Sequence, residues 1–146
     1  MTEKQQALIR YAGPGDLSVC SEWDDGLALS LLEYKLANKD IILAERNGNL
    51  VGYMRLEHLW SNVPYMGLIR ISPVFRNRGI GSELVRFACG QLIKQGHSYL
   101  YSSSQVNEEE PQAWHRKVGF EECGLIAGVN EGGIGEVFFR LKLGQN

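Results

Sequence analysis

The sequence predicts an α/β (α+β) protein in which helices cover the faces of one mixed sheet. Strand-like and helix-like patterns follow each other in the order β-α-α-β-β-β-α-β-α-β-β. The composition, with 44% hydrophobic and 22% charged residues, is typical of a globular protein with an apolar core. The 146 residues contain no internal repeat, linker or low-complexity segment, so we expect a single domain over residues 1–146.

The first strand and the first two helices are predicted from short apolar patterns and the residues that flank them. "ALIRYA" (residues 7–12) is typical of a strand and precedes the turn residues "GPGD". We expect Asp16 or Ser18 to cap a short helix, and Asp24 or Asp25 to open a second one. The second helix should bury a stripe formed by Leu27, Leu31 and Leu32.

A hairpin and a third central strand follow. Two β-rich runs within residues 40–60 flank Asn47 and Gly48, and Asn-Gly is a strong hairpin signal. Alternation along the second run places on one face Tyr53, Arg55 and Glu57. "PYMGLIRIS" (residues 64–72) is the next predicted strand.

The second half of the chain alternates helices and strands. Residues 79–95 form a predicted helix whose apolar side consists of Ile80, Leu84, Val85, Ala88, Cys89 and Leu92. A strand over residues 98–105 precedes a helix over 108–119, with acids in its first turn and bases in its last. Two closing strands are expected over residues 120–129 and 136–143.

Charge, cysteine count and hydropathy exclude several classes of function. The formal net charge of -2 at pH 7 argues against nucleic acid as the main partner, because phosphate binding needs a surplus of Lys and Arg. Cys20, Cys89 and Cys123 are odd in number and widely spaced, so we expect no disulfide framework and no metal. The N-terminus lacks the long apolar core of a signal peptide, and no apolar run approaches ~18 residues. We therefore expect a cytoplasmic protein with no membrane span.

The segment "RNRGIGS" (residues 76–82) joins a strand to the long helix and favours anion binding. The first N–H groups of a helix have no intrahelical partner and lie at the positive end of its dipole. Gly79 and Gly81 have no Cβ, so a phosphate can approach the backbone, while Arg76 and Arg78 can add charge-assisted contacts. This pattern predicts a pyrophosphate site; the alternative is a helix entry that merely needs glycine. The chain has no Walker loop, and Leu84 stands where the dinucleotide fingerprint has its third glycine.

A longer stretch around this segment, "LIRISPVFRNRGIGSELVRFA" (residues 68–88), resembles the coenzyme-A motif of the GNAT superfamily of acyl-CoA N-acyltransferases. That motif is an apolar strand, a proline, and [R/Q]-x-x-G-x-[G/A] opening a helix. The matching positions are Pro73, Arg76, Gly79 and Gly81. Downstream, "KVGF" (residues 117–120) resembles a second feature of the family at a fitting spacing. The resemblance covers about residues 41–143 and implies a mostly antiparallel sheet of about seven strands. It also implies helices on both faces and a splay between the fourth and fifth strands.

The resemblance also implies how a co-substrate is held. The pyrophosphate of acetyl-CoA would contact Arg76, Asn77, Arg78, Gly79, Ile80, Gly81 and Ser82. The pantetheine arm would pair, as an added strand, with the backbone of Ile69, Arg70 and Ile71. The acetyl group would then pass directly to an amine, without a covalent enzyme intermediate and without a metal.

Candidates for the proton transfers are less closely matched to the family. His115 stands where many relatives have a proton-donating tyrosine, and an ordinary histidine pKa of about 6.5 permits either charge state. Its alternative role is a helix histidine packed beside Trp114. Glu57 is the candidate base for the amine, with His58 as the second choice and a surface ion pair as the alternative for Glu57. Asn107 is a candidate cofactor contact.

These features together predict a cytoplasmic N-acetyltransferase that uses acetyl-CoA. Its acceptor would be a primary amine of a small molecule, a peptide or a protein, and the habit of the family suggests a homodimer. Two alternatives stay open. One is a non-catalytic acyl-CoA-binding sensor or interaction module of the same fold, and the other is a nucleotide-binding domain with an accidental glycine pattern.

Overall fold

The computed structural model of the chain describes residues 6–144, which form seven strands and four α-helices. The strands are β1 (Leu8–Tyr11), β2 (Ile41–Arg46), β3 (Asn49–Leu59), β4 (Val63–Ile71), β5 (Tyr99–Gln105), β6 (Glu121–Ile126) and β7 (Glu136–Lys142). The helices are α1 (Leu17–Trp23), α2 (Leu29–Ala37), α3 (Ile80–Lys94) and α4 (Glu109–Lys117). Short 3-10 turns lie at Pro14–Asp16, Pro73–Phe75 and Glu131–Gly133.

The seven strands form one mixed sheet in the order β1-β2-β3-β4-β5-β7-β6. The pairs β1–β2, β2–β3, β5–β7 and β6–β7 are antiparallel. The fourth and fifth strands run parallel, with Tyr65 opposite Tyr101, which matches the predicted splay between them. The predicted fold class, element order and strand number are confirmed.

The described residues divide into two compact units. The first unit contains the described residues up to Leu56 together with Leu68–Ala88. The second contains Glu57–Gly67 together with the described residues from Cys89 onward. The single domain expected over residues 1–146 stays a prediction.

The core of the first unit lies between α1, α2 and the strands β2 and β3. Its buried members, each at most 2% exposed, are Ala12, Cys20, Leu32, Leu36, Ile41, Leu43 and Tyr53. The predicted stripe on α2 is partly wrong, because Leu31 is 44% exposed while Leu32 and Leu36 are buried beside Lys35. Lys35 is accommodated there because its ammonium donates a 2.7 Å hydrogen bond to the carbonyl of Leu56.

The predicted start of the second helix at Asp24 or Asp25 is also wrong, since α2 begins at Leu29. Asp24 instead ends α1, where its N–H donates to the carbonyl of Cys20. Its carboxylate accepts hydrogen bonds from the Tyr53 hydroxyl at 2.6 Å and from Arg55 Nε at 2.6 Å. Burial alone would raise the pKa of Asp24, but the bonds from Arg55 and Tyr53 outweigh it and hold that pKa below its usual value. Asp24 is therefore a buried, charged tie between the end of α1 and β3.

The long helix α3 lies close against β3 at Gly52. A Cβ atom at Gly52 would lie 3.1 Å from Ile80 Cγ2 and 3.1 Å from Leu84 Cδ1. Both of these α3 residues are buried. Glycine at this position thus lets the first turns of α3 approach the strand, which sets where the N-terminus of the helix lies.

In the second unit, the two faces of β5 have different surroundings. Leu100, Ser102 and Ser104 are buried, whereas the alternate residues from Tyr99 to Gln105 are half-buried. Ser102 bonds to His115 of α4, so α4 covers the buried face. The half-buried face of β5 carries Tyr101 and Ser103.

We predict that Asp24→Asn lowers the free energy of unfolding by about 3 kcal/mol near neutral pH, because it removes the buried negative charge to which Arg55 and Tyr53 donate hydrogen bonds. The adjacent, exposed Asp25 offers a matched control, and Asp25→Asn should change stability by less than about 0.5 kcal/mol. Urea denaturation of the three proteins measures both differences.

We predict that the difference in free energy of unfolding between wild type and Asp24→Asn becomes smaller at acid pH. A carboxylate with a lowered folded-state pKa stabilises the fold above its ordinary pKa of about 4, and this contribution is lost as the pH falls toward the lowered value. An equal effect of the Asp24 and Asp25 substitutions would contradict the role of Asp24 as a buried tie.

Candidate functional site

The first part of the candidate site is the turn that enters α3. Asn77 has a φ of 62° and Gly79 a φ of 85°, so the chain twice enters the left-handed region before the helix begins. Glu83 donates its N–H to the carbonyl of Gly79 at 3.0 Å. By helix geometry, the N–H groups of Ile80, Gly81 and Ser82 precede this bond and point beyond the N-terminus. The turn and helix therefore present a cluster of backbone donors at a positive dipole end, which suits an anion.

Arginine side chains surround this N-terminus. Arg76 and Arg78 are exposed, and Arg76 Nε donates to the carbonyl of Ile71 at 3.3 Å. The guanidinium groups of Arg46 and Arg78 lie 5.3 and 5.5 Å from the centre of the Phe75 ring. The aromatic ring holds two cations near the turn by cation–π contact, which raises the local positive potential. A pyrophosphate fits this donor set in both charge and backbone access.

The predicted pantetheine-binding segment lies at the end of β4. Ile69 and Ile71 are half-buried, while Arg70 is exposed and donates to the carbonyl of Trp23 at 2.7 Å. Beyond β4, Ser72 donates its N–H to the carbonyl of Val51 at 2.9 Å. The pairing of the Ile69–Ile71 backbone with a ligand stays a prediction.

His115 is 4% exposed, and both of its ring nitrogens are hydrogen-bonded. Nδ1 lies 2.7 Å from the carbonyl oxygen of Pro111, which can only accept, so Nδ1 carries the proton. Nε2 lies 2.7 Å from Ser102 Oγ and accepts from it when the ring is neutral. The ring stacks on Phe139 with centroids 4.6 Å apart. Ser102, Pro111 and Phe139 thus hold His115 as a core side chain.

Burial lowers the pKa of His115, and the hydrogen bond to Pro111 opposes this only in part. The neutral ring has no proton on Nε2 to give. The predicted role of His115 as a proton donor therefore needs the charged form, which its surroundings disfavour. Its edge-on contact with Trp114, with centroids 5.3 Å apart, agrees with the packing role considered as its alternative.

The remaining candidates lie at element ends. Glu57 is half-buried near the end of β3, and His58 beside it is exposed. Asn107 is exposed in the connection between β5 and α4. Their roles in proton transfer and cofactor binding stay predictions.

A series of hydrogen-bonded side chains that the sequence did not reveal lies on the half-buried face of β5. Tyr65 Oη lies 2.5 Å from Ser103 Oγ, and Ser103 Oγ donates to Glu136 Oε2 at 2.5 Å. Asn130 Nδ2 donates to the other carboxylate oxygen at 2.8 Å. These residues come from β4, β5, β7 and the loop before β7. Alternation along β5 indicates which face Ser103 occupies, but the pairing of β5 with β7 cannot be read from either strand alone.

Neither a metal cluster nor a membrane helix is found in the part of the chain that the structure describes. No group of three or more His, Cys, Asp or Glu side chains among residues 6–144 could hold a metal ion. No helix within the same residues is long and apolar enough to cross a membrane.

Comparison with known proteins identifies the family of this chain. The model of the acetyltransferase (GNAT) family matches residues 14–120. N-alpha-acetyltransferase RimI of Mycobacterium tuberculosis is 30% identical over 89 residues, covering 56% of this chain and 52% of the relative. An uncharacterized protein of Mycobacterium leprae is 26% identical over 136 residues, covering 84% of this chain and 37% of the relative. The chain thus spans about half or less of the length of these two curated relatives.

Solved structures show the same fold. The crystal structure of ribosomal-protein-alanine N-acetyltransferase from Brucella melitensis superposes with a TM-score of 0.78 at 22% identity. The match covers 93% of this chain and 99% of that one. At this level of identity the likeness establishes the arrangement of strands and helices.

We predict that His115 makes the stability of the protein depend on pH. A histidine with a lowered folded-state pKa favours folding fully above its ordinary pKa of about 6.5, and this contribution is lost as the pH falls below it. The free energy of unfolding should therefore fall between pH 7 and pH 5 in wild type, and fall less in His115→Phe. Urea midpoints at several pH values measure the slope, with His58→Gln as a control for losing an exposed histidine. Equal slopes for wild type and His115→Phe would contradict the buried neutral state.

Proposed function

Because the chain belongs to the acetyltransferase (GNAT) family, we propose that it transfers an acetyl group from acetyl-CoA directly to a primary amine. The observation that carries the proposal is the N-terminus of α3. Gly79 leaves the turn in the left-handed region, the N–H groups of the first helical turn point outward, and Arg76 and Arg78 lie beside them. This donor set suits the pyrophosphate of coenzyme A.

The acceptor is proposed to be an amine that is protonated at neutral pH. One relative is an N-alpha-acetyltransferase, and the structural neighbour described above is a ribosomal-protein-alanine N-acetyltransferase. Both names support the α-amine of a peptide or protein over other amines. The exposed acids at the start of α4, Glu108–Glu110, would also favour a cationic acceptor.

The chemistry asks little covalent participation of the protein. The amine nitrogen attacks the thioester carbonyl, a C–N bond forms, and the C–S bond breaks with its electron pair leaving on sulfur. The protein must bind the two substrates in reacting geometry and accept the proton of the ammonium form. Glu57 remains the base proposed from the sequence.

A second candidate function is binding of acyl-CoA without catalysis, as a sensor or interaction module. The observation that favours it is the buried neutral His115 at the position where many relatives have a tyrosine. Consumption of acetyl-CoA that depends on an added amine, followed by thiol release, would reject this alternative.

We predict that Gly81→Glu abolishes binding of acetyl-CoA, because a side chain and a negative charge would enter the path of the pyrophosphate. Gly90→Glu places the same residue on the same helix at an exposed position with open space around its Cβ. This control should bind as wild type does. Isothermal titration with acetyl-CoA measures both variants, while ATP and NAD titrated in parallel test for a general nucleotide site.

Two results of this titration would contradict the proposal. Wild type that binds acetyl-CoA no better than ATP or NAD would remove the coenzyme-A assignment. A folded Gly81→Glu variant with unchanged affinity would move the pyrophosphate away from the start of α3.

A further inference from the structure

The hydrogen bonds that join Tyr65, Ser103 and Glu136 on the half-buried face of β5 have a defined donor direction. Ser103 has one hydroxyl proton, and it is donated to Glu136 Oε2 at 2.5 Å. The 2.5 Å contact between Tyr65 and Ser103 must then be donated by the Tyr65 hydroxyl. Protons along this chain therefore point from Tyr65 through Ser103 to a carboxylate.

We propose that the hydrogen-bonded groups of Tyr65, Ser103 and Glu136 form a proton relay that accepts the proton of the amine substrate. Tyr65 takes the proton from the amine, Ser103 passes a proton on, and Glu136 is the final base. The inference rests on the proposed acetyl transfer and identifies its base. Glu57, the base expected from the sequence, is then not required for deprotonation.

The relay balances in protons and electrons. The ammonium form of the acceptor gives one proton to Tyr65 Oη as the phenol proton moves to Ser103 Oγ and the serine proton moves to Glu136 Oε2. Glu136 becomes a carboxylic acid, and the amine becomes neutral. The amine then forms the C–N bond to the acetyl carbon, the C–S bond breaks, and the second amine proton goes to the departing sulfur to give the thiol. Glu136 returns its proton to solvent.

The environment of Glu136 fixes the carboxylate for this task. Asn130 holds Oε1 by a 2.8 Å hydrogen bond, which leaves Oε2 directed at Ser103. Its partners across the sheet are Gln105 on β5 and Ile126 on β6, and neither is charged. The carboxylate is therefore positioned by neutral groups and can accept a proton without breaking an ion pair with them.

The entry of the chain suits a cation. Tyr65 lies in β4 four residues before Ile69, where the predicted pantetheine-binding segment begins. Its ring lies 5.9 Å from that of Phe138, and both are on the half-buried face. Aromatic faces attract an ammonium group, and a phenol oxygen can accept its proton. The acceptor class is thus an alkyl ammonium, such as a peptide N-terminus, rather than a hydroxyl or thiol.

The experiment compares Tyr65→Phe, Ser103→Ala and Glu136→Gln with matched controls. Ser104→Ala removes a neighbouring hydroxyl from the opposite, buried face of β5, and Glu122→Gln removes an exposed carboxylate from β6. Circular dichroism checks folding, and calorimetry checks acetyl-CoA affinity. Turnover is followed from pH 6 to 9 by thiol release with two probes, an alanine-initiated peptide and hydroxylamine.

The two probes separate deprotonation from other roles. The peptide amine is protonated at neutral pH, whereas hydroxylamine is largely neutral there and needs no base. With the peptide we expect Ser103→Ala and Glu136→Gln to lose on the order of 100-fold in kcat at pH 7, with unchanged acetyl-CoA affinity. The loss should shrink as the pH rises and the amine loses its proton in solution. With hydroxylamine the loss should be small, and the two controls should match wild type with both probes.

Two titratable or charged groups near the relay could carry an indirect effect of the Glu136 substitution, and the hydroxylamine probe tests for this. Arg140 lies four residues along the same strand from Glu136, and Glu136 acts electrostatically on His115 of α4. An effect routed through either group would persist with hydroxylamine. The relay predicts that it does not.

The outcomes distinguish this proposal from the proposed function. If wild type acetylates the peptide and Ser103→Ala and Glu136→Gln do so equally well, the relay is wrong and the transferase stands. A loss of equal size at every pH and with both probes also overturns the relay, because it indicates a structural role. Failure of wild type to release thiol with either probe would overturn the transferase proposal and the relay with it.

Discussion

The close approach of α3 to β3 at Gly52 is the constraint on which the proposed coenzyme-A site depends. With only 3.1 Å between an added Cβ and the side chains of Ile80 and Leu84, a larger residue would push against both of these side chains. Ile80 is also the first residue of α3, so the contact fixes the helix at its N-terminus. The outward N–H groups and the left-handed Gly79 take their position from this packing. A backbone anion site needs such a rigid support, because its donors are not adjustable side chains.

Buried polar groups hold each unit together in opposite charge states. In the first unit, Asp24 stays ionised because Arg55 and Tyr53 both donate to it. In the second, His115 is held neutral because burial disfavours its charged form more than the hydrogen bond to Pro111 favours it. Both arrangements satisfy the hydrogen-bonding groups, which is what burial requires. They respond to pH differently, since acid neutralises the first group and charges the second.

Much of the fold could be predicted from local patterns, and the errors occurred where non-local pairing decides. The Asn-Gly turn and the apolar side of α3 are signals carried by neighbouring residues, and both were confirmed. Asp24 looked like a helix cap because acidic residues favour that place, but its partners Tyr53 and Arg55 lie about thirty positions away. Ser103 and Glu136 likewise meet only through the register of β5 against β7. The glycine pattern was visible because a turn into a helix keeps its residues together.

The consecutive residues Ser102 and Ser103 of β5 bond to different partners on opposite faces of the strand. Ser102 points into the core and gives its hydroxyl to a histidine that burial keeps neutral, so a proton taken there would have to charge a buried ring. Ser103 points to the other face and gives its hydroxyl to a half-buried carboxylate, where a proton removes charge instead of adding it. Burial opposes the first transfer, because it disfavours the charged form of His115. The proposed relay therefore uses the Ser103 face of β5, where the proton goes to a carboxylate. If the proposed relay accepts the proton, His115 is needed only for packing against Phe139 and for its bond to Ser102.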